Sequence, residues 1–215
     1  MDIDSAIQPD APQQDFNIPL STFSDPISDQ PLSTSKPSDF PSQDDLDFEQ
    51  DPSKLFIKAL RDIDYSADES YECLNKVIQI DPNYGKAYTY LGWIQNRFLK
   101  NTAKAIEMYK KGLELDKTFG LTYVYYAEAL MKMNKYDEAL EIINQGENVE
   151  DIDLYSVHMI QGEISEFNEK YDDAIKHFRM ALKYSFSIQS ANSIKTSIER
   201  AMQKQGNHLF HLQNF

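Results

Sequence analysis

Residues 85–118 read GKAYTYLGWIQNRFLKNTAKAIEMYKKGLELDKT, and their spacing decides the fold. A small residue, Gly92, follows Leu91. Ala105, Tyr109 and Gly112 then stand at i, i+4 and i+7, on one face of a second helix. The arrangement returns along the chain. Leu91-Gly92, Tyr126-Ala127 and Gln161-Gly162 lie 35 residues apart each time. The second-helix series Ser70/Leu74/Val77, Ala105/Tyr109/Gly112, Ala139/Ile143/Gly146 and Ala174/Phe178/Ala181 is offset by 35, 34 and 35 residues. Such a period means stacked copies of one two-helix unit.

Local signals agree. Asp51 can cap a helix whose first turn accepts Pro52, and Ser66-Ala67-Asp68-Glu69 reads as a capping box. Asn101 and Asn134 stand just before periodic runs, and Asp81-Pro82-Asn83 predicts a helix stop, because proline cannot continue the helix cheaply. No alternating, strand-like stretch competes, so the expected class is all-α.

On these residues the chain resembles the tetratricopeptide repeat, a unit of two antiparallel helices. The likeness rests on Tyr88, Leu91-Gly92, Ala105, Tyr109, Gly112 and Asp116 in the second unit. In the third it rests on Tyr123, Tyr126-Ala127 and Lys135-Tyr136-Asp137-Glu138-Ala139, and in the fourth on Gly162, Lys170-Tyr171-Asp172-Asp173-Ala174, Phe178 and Ala181. Small residues recur because helix axes roughly 8–10 Å apart leave no room for large side chains at the crossing. The first unit departs, with Lys58-Ala59 for the large–small pair and Ser70 and Val77 for alanines, and reads as a divergent end repeat. The resemblance implies a right-handed α-solenoid of antiparallel helix pairs with a C-terminal capping helix. The expected repeats are 53–83, 85–118, 120–150 and 155–185, followed by a capping helix over 186–205. Its apolar stripe is Ile188, Ala191, Ile194, Ile198 and Met202, with Thr196, Arg200 and Lys204 on the polar side. The whole repeat domain spans 51–205, and 206–215 is expected to be a flexible end.

Residues 1–50 have different physics. They hold seven of the nine prolines, no glycine, eleven Asp or Glu and one basic residue, Lys36. Their net charge is therefore −10 of the total −14, which leaves −4 for the rest. Isolated apolar residues such as Phe40 and Phe48 cannot offset an ordering cost of roughly 1–2 kcal/mol per residue, so an acidic disordered tail is expected.

Composition narrows the function. An acidic chain repels phosphate backbones and anionic membranes, so no nucleic-acid partner and no direct membrane insertion are expected. No apolar run reaches the ~18 residues of a membrane span, and Met1-Asp2-Ile3-Asp4 lacks a secretory start, so a cytoplasmic location is expected. Cys73 stands alone and reads as a small buried thiol. His158 falls in the packing column of Tyr88 and Tyr123, while His177, His208 and His211 suggest no ligand set; no metal, cofactor or catalytic residue is expected. The pairs Asp137-Glu138 and Asp172-Asp173 suit helix starts, where negative charge meets the positive end of the dipole.

What remains is a binding surface. The resemblance places the first helix of each pair on the concave side, so residues one repeat apart form columns across a groove. Tyr90, Tyr125 and Ile160 make one column, and Trp93, Glu128 and Glu163 the next. Arg97, Lys132 and Phe167 make a third, and Thr89, Val124 and Met159 a fourth. An apolar centre flanked by acid and base suits a partner peptide with an apolar anchor and a nearby Lys or Arg. Repeat proteins that hold the chaperone C-terminal carboxylate use Lys, Asn and Arg at positions occupied here by Leu55, Ala59, Tyr90, Leu121 and Tyr125, so that role is not expected. The expected function is a non-enzymatic protein–protein interaction scaffold. The alternatives are a dedicated chaperone for a secreted or assembling client, and a structural protein that self-associates.

Overall fold

The computed structural model describes residues 50–213, with side chains through Asn207. The acidic tail of residues 1–49 lies outside the described residues. Within them the helices run α1 (Pro52–Asp62), α2 (Ala67–Ile80), α3 (Gly85–Arg97), α4 (Thr102–Leu115), α5 (Gly120–Lys132), α6 (Tyr136–Gly146), α7 (Leu154–Phe167), α8 (Tyr171–Tyr184) and α9 (Ile188–Gln213). No strand occurs among the described residues. Each pair is joined by a short turn and packs against its own partner and its neighbours in order. The result is an all-α solenoid.

Helix starts follow the sequence in part. Asp51 accepts hydrogen bonds from the amides of Ser53 (2.8 Å) and Lys54 (3.2 Å), with Pro52 in the first turn. Asn101 Oδ1 accepts from the Lys104 amide at 3.1 Å. Two expectations need correction. Ser66 occupies the cap position but its side chain makes no capping hydrogen bond. Asn134 is not a cap either: it adopts φ 57° in the turn, and Lys135 takes the cap position. An unflagged cap is Asp153, whose carboxylate accepts from the amides of Tyr155 and Ser156.

The small residues mark the closest approaches. A Cβ added at Gly92 would lie 2.7 Å from Tyr109 Cε1, and one at Gly162 would lie 2.5 Å from Phe178 Cε1. Tyr109 and Phe178 are fully buried, so each aromatic ring of a trailing helix lies directly on the small residue of its leading helix. The core is accordingly a string of clusters. Leu55, Phe56, Leu74, Leu91 and Ile94 join the first two pairs. Tyr109, Val124, Tyr126, Ile143 and Ile164 fill the middle. Phe178, Ala181, Ile194 and Ala201 seal the last pair against α9. The divergent first pair keeps the geometry by chemistry: Ser70 Oγ donates to the Ala59 carbonyl at 3.0 Å in a buried position.

The last helix differs from its expected pattern. It continues to Gln213, past the boundary at 205. Its buried face is Ile194, Ser197 and Ala201, with Ile198 partly covered, whereas Ile188 and Met202 are 83% and 51% exposed. Arg200 and Lys204 are not idle polar residues. Arg200 Nε and Nη2 donate to Glu166 Oε1 (2.8 Å) and Oε2 (2.7 Å), and Lys204 Nζ lies 2.9 Å from Oε1. Burial alone would raise the Glu166 pKa, but these donors and their charges outweigh it and hold the carboxyl below its ordinary value. A depressed folded pKa contributes stability above the unfolded carboxylate range, and that stability is lost as pH falls through the folded value. Arg200→Met is expected to cost about 1–3 kcal/mol at neutral pH and progressively less on acidification, read by urea unfolding. A cost that does not change with pH would contradict this assignment.

Candidate interaction face

The leading helices α1, α3, α5 and α7 present one continuous face, because α3 meets α5 and α5 meets α7 directly. Successive repeats therefore bring equivalent positions side by side. Tyr90 is half-buried, edge-on to Phe56 at 5.6 Å and tilted over Phe119 at 6.3 Å. Trp93 is half-buried between Phe98, edge-on at 5.4 Å, and Tyr125 at 6.4 Å. Tyr125 in turn touches the buried Tyr109 ring at 6.4 Å. Burial raises the Tyr90 and Tyr125 phenol pKa values, so neither side chain ionises near neutral pH.

Glu128 and Glu163 follow Trp93 in the same column. Burial pushes the Glu128 carboxyl up to about 7, with Lys132 and Arg97 opposing the shift. Burial pushes Glu163 up to about 7 as well, reinforced by the negative charges of Glu128 and Glu166 and opposed by Arg200. The third column holds Arg97, Lys132 and Phe167, all exposed, with Phe167 stacked on Tyr136 at 3.7 Å.

Not every expected groove residue reaches the face. Met159 and Ile160 are each 4% exposed: Met159 packs with Ala174 and Phe178, and Ile160 belongs to the middle core cluster. The rest of the fourth column is buried too, with Val124 in the core and Thr89 hydrogen-bonded to Thr122 at 2.7 Å. Adjacent helical positions differ by about 100° around the axis, which separates half-buried Tyr90 from fully buried Thr89. His158 is buried, its Nδ1 3.0 Å from Gln161 Oε1.

The sequence reading missed three neighbours. Phe98 and Leu99 are 43% and 51% exposed just past α3. Lys100 follows at φ 52°. The offset of Phe98 from Met133 by one repeat was available as a signal. A separate cleft of about 360 Å³ is lined by Asn144, Gln161, Asp173 and His177 among others. Burial, then the nearby His158 and Lys176, lowers the His177 pKa.

The carboxyl pair makes a testable statement. A folded pKa near 7 against an unfolded value of about 4.5 means the folded state holds the extra proton between those pH values. Stability is therefore greater at the acid end of that window and falls as pH rises through it. Glu128→Gln is expected to flatten this slope and to gain of order 1 kcal/mol at pH ~8 after allowance for solvent screening. Urea titrations on both sides of the window check it, and an unchanged slope would contradict it.

Comparison with known proteins fits this geometry. Residues 99–153 match the family model described as tetratricopeptide repeat. Anaphase-promoting complex subunit 3 of Schizosaccharomyces pombe is 29% identical over 124 residues, which make up 58% of this chain and 18% of that protein. The chain thus matches only a small part of that relative's length. Pseudomonas aeruginosa pilF superposes with a TM-score of 0.65 at 17% identity, over 76% of this chain and 72% of that one. MamA gives 0.55 at 19% identity, over 63% and 78%. TTC0263, a thermophilic tetratricopeptide protein of Thermus thermophilus, gives 0.56 at 14% identity, over 72% and 82%. At these identities the structures speak for the fold. No described helix is long and apolar enough to cross a membrane.

Proposed function

From a chain that carries tetratricopeptide repeats, we propose a non-enzymatic scaffold that binds a peptide segment of another protein on its leading-helix face. The observation that carries this reading is the aromatic run across two repeats. Trp93 and Tyr125 are in ring contact with each other, and Tyr90 with Phe56 and Phe119, yet all three remain partly open to solvent. Half-covered, pre-positioned aromatics are the usual anchors of binding energy, and rigid ones lose little entropy on contact. The partner this face suits is an extended segment with an apolar or aromatic side chain for the Trp93–Tyr125 ledge and a Lys or Arg for Glu128 and Glu163. A cation there would favour the charged form of both carboxyls, so binding should draw their pKa values down and release protons near neutral pH.

Peptide display against the full chain tests the proposal. Selected peptides should combine an aromatic or large aliphatic residue with a basic one, and should lose binding to Trp93→Ala. Selection of peptides indifferent to Trp93, or of none, would refute it. One observation favours self-association as a second reading. Ile57 and Tyr65, in and just after α1, are 65% and 93% exposed, and Phe186 and Ile188 beyond the last repeat are 64% and 83% exposed. Head-to-tail contact between such ends would build open chains. Light scattering across a dilution series separates the two readings.

A further inference from the structure

The chain is acidic overall, yet one part of the leading-helix face is not. Arg97 ends α3, Lys100 lies in the turn after it and Lys132 ends α5; all three are exposed, and none belongs to an ion pair among the described residues. Lys132 Nζ lies 3.4 Å from Asn96 Oδ1 and is close enough to Lys100 and Arg97 to feel their charges. Trp93, Phe98 and Leu99 border this cationic group. At the other end of α3, Lys86 lies over the Phe119 ring at 5.0 Å, beside Tyr90. Along α3 the face thus runs from Lys86 through aromatic rings to three cations, of which Arg97 belongs to α3, Lys100 to the following turn and Lys132 to α5.

The segment ahead of α1 carries the opposite pattern. Residues 41–49 read PSQDDLDFE: Asp44, Asp45, Asp47 and Glu49 with Leu46 and Phe48, and no basic residue. The lengths match as well. Phe56 of α1 touches Tyr84 at 5.0 Å and Tyr90 at 5.6 Å, so α1 begins level with the start of α3. Tyr90 to Arg97 rises about 10 Å along the helix at ~1.5 Å per residue. Phe48 and Asp44 lie four residues apart and can reach up to about 13 Å at ~3.3 Å per residue, enough to cover that distance.

We propose that the acidic segment 41–49 of the same chain docks along α3, with Phe48 on Tyr90 and Phe119, Leu46 near Trp93, and Asp44 over Arg97, Lys100 and Lys132. The acids that oppose this placement are Asp64, Glu128 and Glu163. Glu128 and Glu163 are half-buried, and Arg97 and Lys132 already act on Glu128. Tethering in cis gives an effective concentration in the mM range when the span fits, so modest contacts suffice to occupy the face. A partner would then have to displace this segment.

The test needs no partner, so its failure leaves the scaffold reading untouched. Trp93 is the only tryptophan, and its emission in the full-length chain reports on the covered face. Asp44→Lys/Asp45→Lys/Phe48→Ala is expected to raise acrylamide quenching of Trp93 about twofold and to red-shift its emission, at unchanged amide circular dichroism. In a chain carrying Asp44→Lys/Asp45→Lys alone, adding Arg97→Asp/Lys132→Asp should restore the protection. Identical quenching in wild type and the triple variant would overturn the proposal. So would protection that grows with protein concentration, which would assign the occupant to a second copy.

Discussion

Phe178→Ala is expected to cost about 3–5 kcal/mol of folding free energy, and Gly162→Ala about 1–3 kcal/mol, although the two substitutions change volume in opposite directions. The reason is their shared contact. Phe178 is fully buried, and a Cβ at position 162 would stand 2.5 Å and 2.6 Å from Cε1 and Cδ1 of its ring. The ring belongs to a buried cluster with Ala174, Ala181 and Ile194 and is fully enclosed. In Phe178→Ala the cavity remains; in Gly162→Ala the helices must part. The double substitution should therefore cost less than the sum, because the added methyl enters space that the ring has left. For a domain of this size the larger effect lowers the thermal midpoint by roughly 10 °C. Additive costs would show that the two residues do not share one packing site.

The second large effect concerns binding. Trp93→Ala is expected to weaken a peptide selected on this face about 30-fold, the ~2 kcal/mol scale of a binding hot spot. The stability cost should be smaller than that of Phe178→Ala, because Trp93 is only half-buried while Phe178 is fully enclosed. Titration of peptide into wild type and variant, beside thermal melts of each, separates the two quantities. A variant that melts like Phe178→Ala yet binds normally once folded would make Trp93 a core residue.

The repeat was legible because its cause is local. A small residue facing an aromatic, as in Gly92 with Tyr109 and Gly162 with Phe178, recurs at a fixed spacing wherever two helices cross closely. The columns of the leading helices were legible for the same reason, as repeat length fixes which residues become neighbours. Exposure within a column was not. Tyr125 and Ile160 occupy equivalent positions, but Ile160 is enclosed by the packing of α7, which has no counterpart in its own sequence spacing. The Glu166–Arg200–Lys204 contact was illegible for a related reason: α9 stands outside the repeat, so no periodicity pairs its residues with α7. The perturbed carboxyls Glu128 and Glu163 could be placed on the face from sequence, whereas their raised pKa values depend on surroundings drawn from several helices.

Whether the leading-helix face binds another polypeptide is best decided by affinity capture from the source cells with three full-length baits. These are the wild type, a face variant (Trp93→Ala/Arg97→Glu/Lys132→Glu), and a trailing-helix variant (Lys111→Glu) that alters a residue of α4 on the far side of the repeat. The expected result is a polypeptide retained by the wild type and the trailing-helix variant and lost from the face variant, with all three baits folded by circular dichroism. Equal retention by the face variant, or loss from the trailing-helix variant instead, would contradict binding at this face.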